Sequence, residues 1–538
     1  MIRSGGWATR GHLAALVICS LLVRLLYLAP YPTGWDDVDF ALALAEYDLL
    51  RMQPHFPGYP IYILAAHLFN SWLHDPFLAL SLLSGVAGGL TVIPLWLLFH
   101  RMGNRWVASL AVWMYSVAPL PLITSIQPMS DSLGAFLAAW LAYFAWRVQE
   151  SKQIEGSDAF VSGVGNATDR TQFVWPTLAA GVVLGLLLGV RISYLALSAL
   201  WVWAVAQLLS DRGTSVGFRF SSATVSAVAL AAVCGSWLLA LVVSAGGVDS
   251  FAAVAVSFTE GHFSDWGGAY EANASLWERA RLFLFRQIGG AGLGTVWPVD
   301  GIFNGVGLWR WVPTAAVVLG IVGLIPRLAS DRNHRRPSKT AVFLCIWIIP
   351  YLLWAFFAQN VEKPRHILPL LPPLLYLLAA GLWHLAGWAG RLRQPRLYLL
   401  VGAFWLSGVM AISYPLLVEA RTSESPMMQL ARYVKANVSA NDSLIFTWEE
   451  QRVLRLVSPA HTSIRLRRWE DFRTEVLQYQ AKPMKVYATN ALINGFNKDV
   501  AGLFREVAVF RGNPWLYPTY HTIVLYEGTS LLYENILF

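Results

Sequence analysis

Charge is scarce in this sequence. Asp, Glu, Lys and Arg supply only 13% of its 538 residues, whereas soluble proteins usually carry about 25%. This deficit excludes an ordinary soluble globular protein, and it comes from long runs that contain no charged residue: 76–99, 106–130, 171–190, 192–210, 220–248, 340–361 and 397–418. About 20 apolar residues cross the hydrocarbon layer as a helix, which satisfies the backbone polar groups internally. The runs therefore predict a polytopic α-helical membrane protein.

Cysteine is scarce as well. The three cysteines, Cys19, Cys234 and Cys345, all lie in apolar segments. Their spacing fits neither a metal site nor a disulfide framework, so they are interpreted as packing residues. No internal repeat is visible, which argues against the duplicated halves found in many transporters.

Eleven membrane spans are predicted, with the N-terminus in the cytoplasm and the C-terminus outside. The candidate spans are 11–30, 76–99, 106–122, 131–148, 175–190, 192–209, 222–244, 311–328, 340–358, 367–387 and 397–418. Arginine and lysine gather at the N-terminus and in the turns 100–105, 211–219, 327–339 and 391–396, which the positive-inside rule places in the cytoplasm. The net charge of +8 thus reflects topology, and no nucleic-acid site is inferred from it.

Two apolar segments are harder to place. Residues 59–73 are short for a span, and if they crossed, every later loop would change sides. They are therefore interpreted as an interfacial helix on the outer surface. Residues 288–309 are rich in glycine and interrupted by Asp300, and they are placed outside as a re-entrant or interfacial segment.

Three long segments face outward in this topology: a first loop at 31–75, a second at 245–310, and the tail at 419–538. Charges return in the tail, and β-rich runs alternate there with helical patterns; the runs are Leu444–Trp448, Val486–Thr489 and Thr522–Tyr526. The pattern predicts a small extracytoplasmic α/β domain at 419–538, following a membrane domain at 1–418.

The first outer loop carries a cluster of acids in Trp35–Phe40, and a helical pattern continues from there to Met52. Val38, Leu42, Ala45 and Leu49 predict an apolar stripe that lies on the membrane surface. Adjacent helical residues do not face each other, so one of Asp36 and Asp37 is expected to point into a site and the other to cap or orient. The structural alternative is that Asp36 is simply an N-cap acid.

This acidic pair after the first span, followed by His55-Phe-Pro-Gly-Tyr-Pro60, resembles the GT-C superfamily of polytopic glycosyltransferases. The likeness is closest to the bacterial branch related to protein O-mannosyltransferases and lipid A aminoarabinose transferases. That branch has a Lys/His-Pro-Pro-Gly-like motif here, although Phe56 stands where proline is common. The resemblance continues at Ser130-Asp131 and along Gly185–Arg191, and it covers roughly residues 11–418.

The resemblance implies an inverting transfer of sugar from a polyprenyl-phosphate donor to a glycan, lipid or protein acceptor. The site would lie on the outer face of a bacterial plasma membrane, with Asp36 as the general base or as an acceptor-orienting carboxylate and Asp37 in support. The leaving phosphate gathers negative charge, so the donor ligands would be cations: Lys363, Arg365, His366 and Arg191. Further substrate-binding candidates are His55, Asp131, Glu260 and His262. A divalent cation, Mg²⁺ or Mn²⁺, at Asp36 and Asp131 is an option that the mechanism does not require.

Each candidate also has a structural interpretation. The cations could anchor span ends by snorkelling, Asp131 could cap a helix, and the other polar candidates could hold their own loops together. The alternative function is a transporter or lipid flippase, which favours ionisable groups near the bilayer midplane. The largely uncharged spans favour the enzyme. Arg24, inside the first span, is expected to snorkel or to pair with an outward acid.

Overall fold

The structure is a computed structural model that describes residues 6–154, 167–263, 275–294, 318–320, 338–361, 363–388, 390, 393–479, 484–496, 498–518 and 520–537. The helices before the tail are Gly6–Leu26, Trp35–Ala45, Pro60–Leu73, Pro76–Leu90, Val92–Met102, Arg105–Val117, Pro119–Ile126, Asp131–Ile154, Ala167–Val190, Ser198–Leu209, Val216–Ser244, Val248–Gly261, Leu276–Arg281, Lys339–Ala358, Leu371–Gly387 and Gln394–Thr422. Ile192–Leu197 and Pro364–Leu370 are 3₁₀-helical, and Leu282–Gly292 is π-helical.

Six helical stretches in the described part are long and apolar enough to cross a membrane: Pro76–Met102, Ile192–Leu209, Val216–Ser244, Lys339–Ala358, Pro364–Gly387 and Gln394–Asn437. A pair bent by 47°, Arg105–Val117 with Pro119–Ile126, makes a seventh if its halves form one span. The chain is therefore a multi-pass membrane protein, as predicted. The count of eleven and the orientation stay predictions. Most of 311–328 and of 288–309 lies outside the described residues.

The bent pair has a local cause. Ala118, which separates the two helices, has an extended ψ of 135°, the conformation that a residue before proline prefers. Pro119 then starts the second helix, where its fixed φ is favourable and its missing N–H costs nothing. The bend directs Pro119–Ile126 toward the site described below.

The segment 59–73 does form a helix, Pro60–Leu73, which packs against Pro76–Leu90. Leu64, Leu68 and Trp72 lie on one face of it and are largely exposed. An exposed apolar face is what a helix in contact with lipid presents. Its interfacial position stays a prediction.

The helix that carries the acids is shorter than predicted. It begins at Trp35 and ends at Ala45, because Glu46 is extended, with a φ of −147°. The chain then turns back, and Asp48 and Gln53 exchange backbone hydrogen bonds of 2.7 and 2.8 Å. The expectation of a helix to Met52 with one apolar stripe was wrong: the helix is buried on most sides, and Ala45 is exposed.

Arg24 neither snorkels nor pairs with an acid. Its side chain is fully buried and donates to Ser20 Oγ and Ser125 Oγ at 2.8 Å each, and to the carbonyls of Ser20 and Ser116 at 3.0 and 3.2 Å. Serine hydroxyls and carbonyls of neighbouring helices therefore satisfy this cation, which explains how it is tolerated within an apolar bundle.

The tail, called the tail domain here, contains a five-stranded sheet with helices beside it, and its boundary at residue 419 stays a prediction. The strands are β1 Ser443–Thr447, β2 Thr462–Arg465, β3 Lys485–Thr489, β4 Phe504–Arg511 and β5 Thr522–Gly528, and the helices are Pro426–Asn437, Gln451–Val457, Trp469–Gln478, Asn490–Ile493 and Ser530–Leu537. The sheet order is β2-β1-β3-β5-β4, with β1 parallel to β2 and β3 and with β5 antiparallel to β3 and β4. The three predicted β-rich runs coincide with β1, β3 and β5.

Several segments of the tail domain contact the membrane domain, and two of them bear on the site. The helix Gln451–Val457, which follows β1, packs on Trp35–Ala45. The segment between β4 and β5 places Leu516 and Tyr517 in a buried apolar cluster with side chains of the membrane helices, among them Leu122, Ile126 and Leu417. The tail domain is thus seated directly beside the acidic helix.

Candidate active site

Asp36 and Asp37 have different partners, as their positions on a helix require. Gly34 is the N-cap, and Asp37, three residues later, reaches back over the helix start. Its Oδ2 accepts from the Thr33 amide and the Thr33 hydroxyl at 2.6 Å each and from the Gly34 amide at 3.3 Å. Asp37 is therefore the capping carboxylate, which leaves Asp36 to point elsewhere.

Asp36 forms an ion pair with Arg365, which the 3₁₀ turn Pro364–Leu370 presents. Burial raises the pKa of Asp36, but the Arg365 guanidinium, helped by the charges of His55, Lys363 and Arg191, outweighs burial and holds that pKa well below its usual range. Asp37 forms no ion pair among the described residues, and burial raises its pKa to about 7 against the hydrogen bonds from Thr33 and the weaker effect of the Arg365 charge. The pKa values of these two adjacent carboxyl groups are thus shifted in opposite directions.

His55 links Asp36 to a third acid. Its Nδ1 lies 2.8 Å from Asp39 Oδ2, and its Nε2 lies 3.1 Å from the Tyr59 hydroxyl and 3.9 Å from Asp36 Oδ1. A carboxylate can only accept, so Nδ1 carries the proton of this bond. The other nitrogen consequently faces Tyr59 and Asp36.

Asp39 also receives a cation from the tail domain. Arg452, in the helix Gln451–Val457, forms a buried ion pair with it. The same guanidinium lies over the Trp35 ring, 4.5 Å from its centroid, and its Nη2 is 3.4 Å from Met52 Sδ. A continuous chain of contacts therefore runs from the tail domain through Asp39 and His55 toward Asp36.

Asp36 and Arg365 line a cavity of about 800 Å³, including its opening to solvent. Lys363 adds a second cation, and membrane helices supply apolar side chains such as Leu120 and Ile123. The remaining walls contain Thr33, Gly34, Trp35, Thr124, Gln127, Met129, Ala291, Pro364, Trp515, Leu516, Pro518 and Tyr520. The cavity thus combines a charged end with apolar and aromatic walls, and both domains build it.

Arg365 has a donor left for a ligand. Its Nη2 faces Asp36 and its Nη1 lies 3.9 Å from Met129 Sδ, while its buried Nε has no hydrogen-bond partner among the described residues. A buried N–H without a partner is uncommon, because losing its hydration costs free energy. An anion in the cavity would supply the missing acceptor.

Other predicted site residues do not line the cavity. Arg191 and Asp131 form a buried ion pair with 2.9 Å between Nη1 and Oδ2, and neither lines the cavity. His262 Nε2 lies 2.9 Å from the carbonyl of Ala358, at the end of the helix Lys339–Ala358, and Glu260 is exposed. The expected grouping of all candidates in one place is therefore only partly met: Asp36, His55, Lys363 and Arg365 come together, with His366 next in the chain.

The carboxylates suggested for a cation do not form a metal site in this structure. Within the described ranges, no three His, Cys, Asp or Glu side chains lie close enough to hold an ion. Asp36 and Asp131 each face an arginine instead. These two carboxylates therefore do not fit a bound metal, because an arginine side chain already faces each of them.

Sequence reasoning missed Asp39, Arg452 and Glu449. Asp39 stood in the acidic motif, and its distance of three residues from Asp36 places both on one helix face, which was an available signal. Arg452 and Glu449 belong to an unremarkable stretch of the tail. Burial raises the pKa of Glu449 to about 8 against the opposing charge of Lys363, which places this carboxyl group near the cavity's second cation.

No family model and no curated protein matches the sequence. Solved structures do match the fold. ArnT from Cupriavidus metallidurans in the apo state has a TM-score of 0.54 at 13% identity, over 98% of this chain and 99% of that one. The same protein bound to undecaprenyl phosphate has a TM-score of 0.53 at 12% identity, with the same coverage.

A third match is the oligosaccharyltransferase of Archaeoglobus fulgidus tethered with an acceptor peptide, with a TM-score of 0.50 at 12% identity over 89% of this chain and 69% of that one. At such identities the likeness concerns the fold, and the ArnT matches extend over the membrane part and the tail domain together. This confirms at the level of fold the resemblance suggested by the acidic pair and the His55 motif. The chain therefore has the fold that ArnT and the archaeal oligosaccharyltransferase share.

Proposed function

We propose that the protein is an inverting membrane glycosyltransferase. It would transfer a sugar from a polyprenyl-phosphate donor to a glycan, lipid or protein acceptor at the extracytoplasmic face of a bacterial plasma membrane. The observation that carries the proposal is the Asp36–Arg365 ion pair in the wall of a cavity that also receives Lys363. It places a carboxylate and two cations at one end of a space with apolar walls.

The two cations suit the leaving group. Departure of a polyprenyl phosphate leaves negative charge on its oxygens, and preorganised cations stabilise that charge where it develops. The buried Nε–H of Arg365 has no partner among the described residues, and Lys363 lines the same cavity. The apolar walls from the membrane helices suit the first isoprene units of such a lipid.

Donor binding would also change Asp36. The Arg365 charge overcomes the effect of burial and keeps the pKa of Asp36 low, so this carboxylate is a weak base. A phosphate anion on Arg365 would neutralise that charge, and burial would then raise the pKa of Asp36 toward the range that base catalysis requires. Asp36 would thus become an effective base for an acceptor hydroxyl only after the donor has arrived.

The structural neighbours support this assignment. One of the matched ArnT structures holds undecaprenyl phosphate, and the matched oligosaccharyltransferase holds an acceptor peptide. Both proteins therefore combine this fold with ligands of the classes proposed here.

Transfer by the purified protein in nanodiscs tests the proposal. Undecaprenyl-phosphate hexoses and pentoses with a labelled sugar are offered together with native membranes as acceptor, and both transferred label and released undecaprenyl phosphate are measured. We expect transfer from at least one donor and a loss of about 10²–10⁴-fold in Asp36→Asn, the usual contribution of a general base.

Asp249→Asn is the matched control, because Asp249 is an exposed acid in the first turn of another helix. Binding of undecaprenyl phosphate should survive in both variants. Normal transfer by a folded Asp36→Asn protein would rule out the base, and movement of lipid between leaflets without any transfer would favour the flippase.

A further inference from the structure

We infer that the segment between β4 and β5 of the tail domain forms the sugar-binding wall of the cavity, with Trp515 as its principal contact. The inference rests on the proposed function and adds to it a subsite for the monosaccharide of the lipid-linked donor. It follows from the chemical division of the cavity, from the way the segment is anchored, and from the position of its aromatic rings.

The cavity lining contains three kinds of side chain. Asp36, Lys363 and Arg365 are charged, and membrane helices contribute aliphatic side chains such as Leu120 and Ile123. The aromatic residues Trp35, Trp515 and Tyr520 form a third group. A polyprenyl-phosphate sugar has the same three parts: an anion, an apolar chain and a monosaccharide.

Aromatic rings match the monosaccharide. One face of a sugar ring carries mostly C–H groups, which pack against the flat face of a tryptophan, while the hydroxyl groups remain free for polar partners. Trp and Tyr combine a large apolar face with a polar edge and lose little conformational entropy on binding. Thr124 and Gln127 stand in the same lining and provide polar groups.

The segment is held rigidly by its own residues and by the membrane helices. Asn513 Oδ1 accepts from the Trp515 amide at 3.0 Å, and Asn513 Nδ2 donates to Glu419 Oε2 of the helix Gln394–Thr422 at 2.9 Å. Gln127 Nε2 donates to the carbonyl of Leu516 at 3.4 Å, and the Leu516 side chain is 2% exposed. Trp515 is consequently presented on a fixed support, which lowers the entropic cost of binding a ligand.

Trp35, in the membrane domain, is held by a residue of the tail domain. It begins the acidic helix, and the guanidinium of Arg452 lies 4.5 Å from the centroid of its ring. The two domains thus each bring a tryptophan to the cavity. Trp35 is restrained by Arg452 of the tail domain, and Trp515 by Asn513 in its own segment. A monosaccharide attached to a phosphate at Arg365 would lie beside these rings.

The experiment compares two ligands that differ only by the sugar. Binding of undecaprenyl phosphate and of undecaprenyl-phosphate hexoses and pentoses to the full-length protein in nanodiscs is measured for the wild type and for Trp515→Leu. Leucine keeps the apolar contact with the cluster around Leu516 but removes the ring. We expect affinity for the sugar-bearing lipid to fall about tenfold, as truncating a buried aromatic anchor typically does, while affinity for undecaprenyl phosphate stays constant.

Two further variants keep the result interpretable. Pro514→Ala changes the exposed neighbour in the same segment and should alter neither affinity, and Trp515→Phe should recover most of the loss. Equal loss for both lipids in Trp515→Leu, or loss for neither, would overturn the sugar wall while leaving the proposed function standing. If the wild type binds neither lipid, the proposed function fails as well.

Discussion

The ion pair between Arg452 and Asp39 offers a sharp test of how the tail domain supports the site. Arg452→Gln removes the guanidinium but keeps a polar side chain of similar length. The side chains of Arg452 and Asp39 are 9% and 1% exposed, so the variant leaves a buried carboxylate whose remaining partner is His55 and whose Oδ1 has no partner among the described residues.

Breaking a buried ion pair by removing one partner typically costs about 3–5 kcal/mol. Loss of the contact between Arg452 and the Trp35 ring adds about 0.5–2 kcal/mol. A free-energy change of about 1.4 kcal/mol corresponds to a factor of ten. A loss of about 3 kcal/mol, the lower limit for the ion pair, therefore raises the population of an undocked helix Gln451–Val457 by roughly two orders of magnitude. The segment containing Leu516 should still hold the tail domain in place, so we expect local opening and not complete dissociation.

Hydrogen exchange of the helices Gln451–Val457 and Trp35–Ala45 measures this opening directly. Arg455→Gln on the same helix is the control, because Arg455 is exposed. Asp39→Asn should open the same helices, and the double variant with Arg452→Gln should cost less than the sum of the two single changes, with a coupling of about 0.5–3 kcal/mol. If Arg452→Gln exchanges no faster than Arg455→Gln, the ion pair does not secure the interface, and the chain of contacts to His55 has no mechanical role.

Two further predictions concern buried acids. Burial, opposed by Lys363, raises the pKa of Glu449 to about 8, so the folded protein binds this proton more tightly than the unfolded chain does. This proton's contribution to the free energy of unfolding is fully present below about pH 4, near the ordinary pKa of glutamate, and is lost as the pH rises through 8. The thermal unfolding midpoints of the wild type and of Glu449→Gln should therefore diverge between these pH values. If the two midpoints change in parallel with pH, the assignment is contradicted. Thr33→Val removes the hydroxyl that donates to Asp37 at 2.6 Å and should cost about 1 kcal/mol, measured by unfolding against Thr462→Val at an exposed site.

Much of the fold was predictable because local patterns determine it. The uncharged runs marked helices, and alternation of β-rich and helical runs marked the tail domain. The end of the acidic helix was not predictable in this way. Its apolar residues continue to Leu50, and only the pairing of Asp48 with Gln53 across a tight loop ends the helix.

The site was predictable only in part, because its contacts join distant positions. The roles of Asp36 and Asp37 follow from helix geometry, and the structure shows one capping and the other facing Arg365. That Asp131 would face Arg191 instead of the cavity depends on how two helices pack, and no local pattern reports this. Arg452 was missed for the same reason: a lone arginine on a short helix resembles any solvated cation until its partner is known.

The shared wall of the cavity has a consequence for how the protein is made. Gln127 and Leu516, whose contact helps to close that wall, are 389 residues apart in the chain. During synthesis the membrane helices and the acidic loop are made long before the tail domain, since the chain is built from its N-terminus. Contacts between them can form only once both partners are available. Before the tail domain is made, a nascent chain contains Asp36, Lys363 and Arg365 but not yet the residues that complete the wall. If the proposed function holds, a lipid-linked donor can be enclosed only after the tail domain, residues 419–538, has folded.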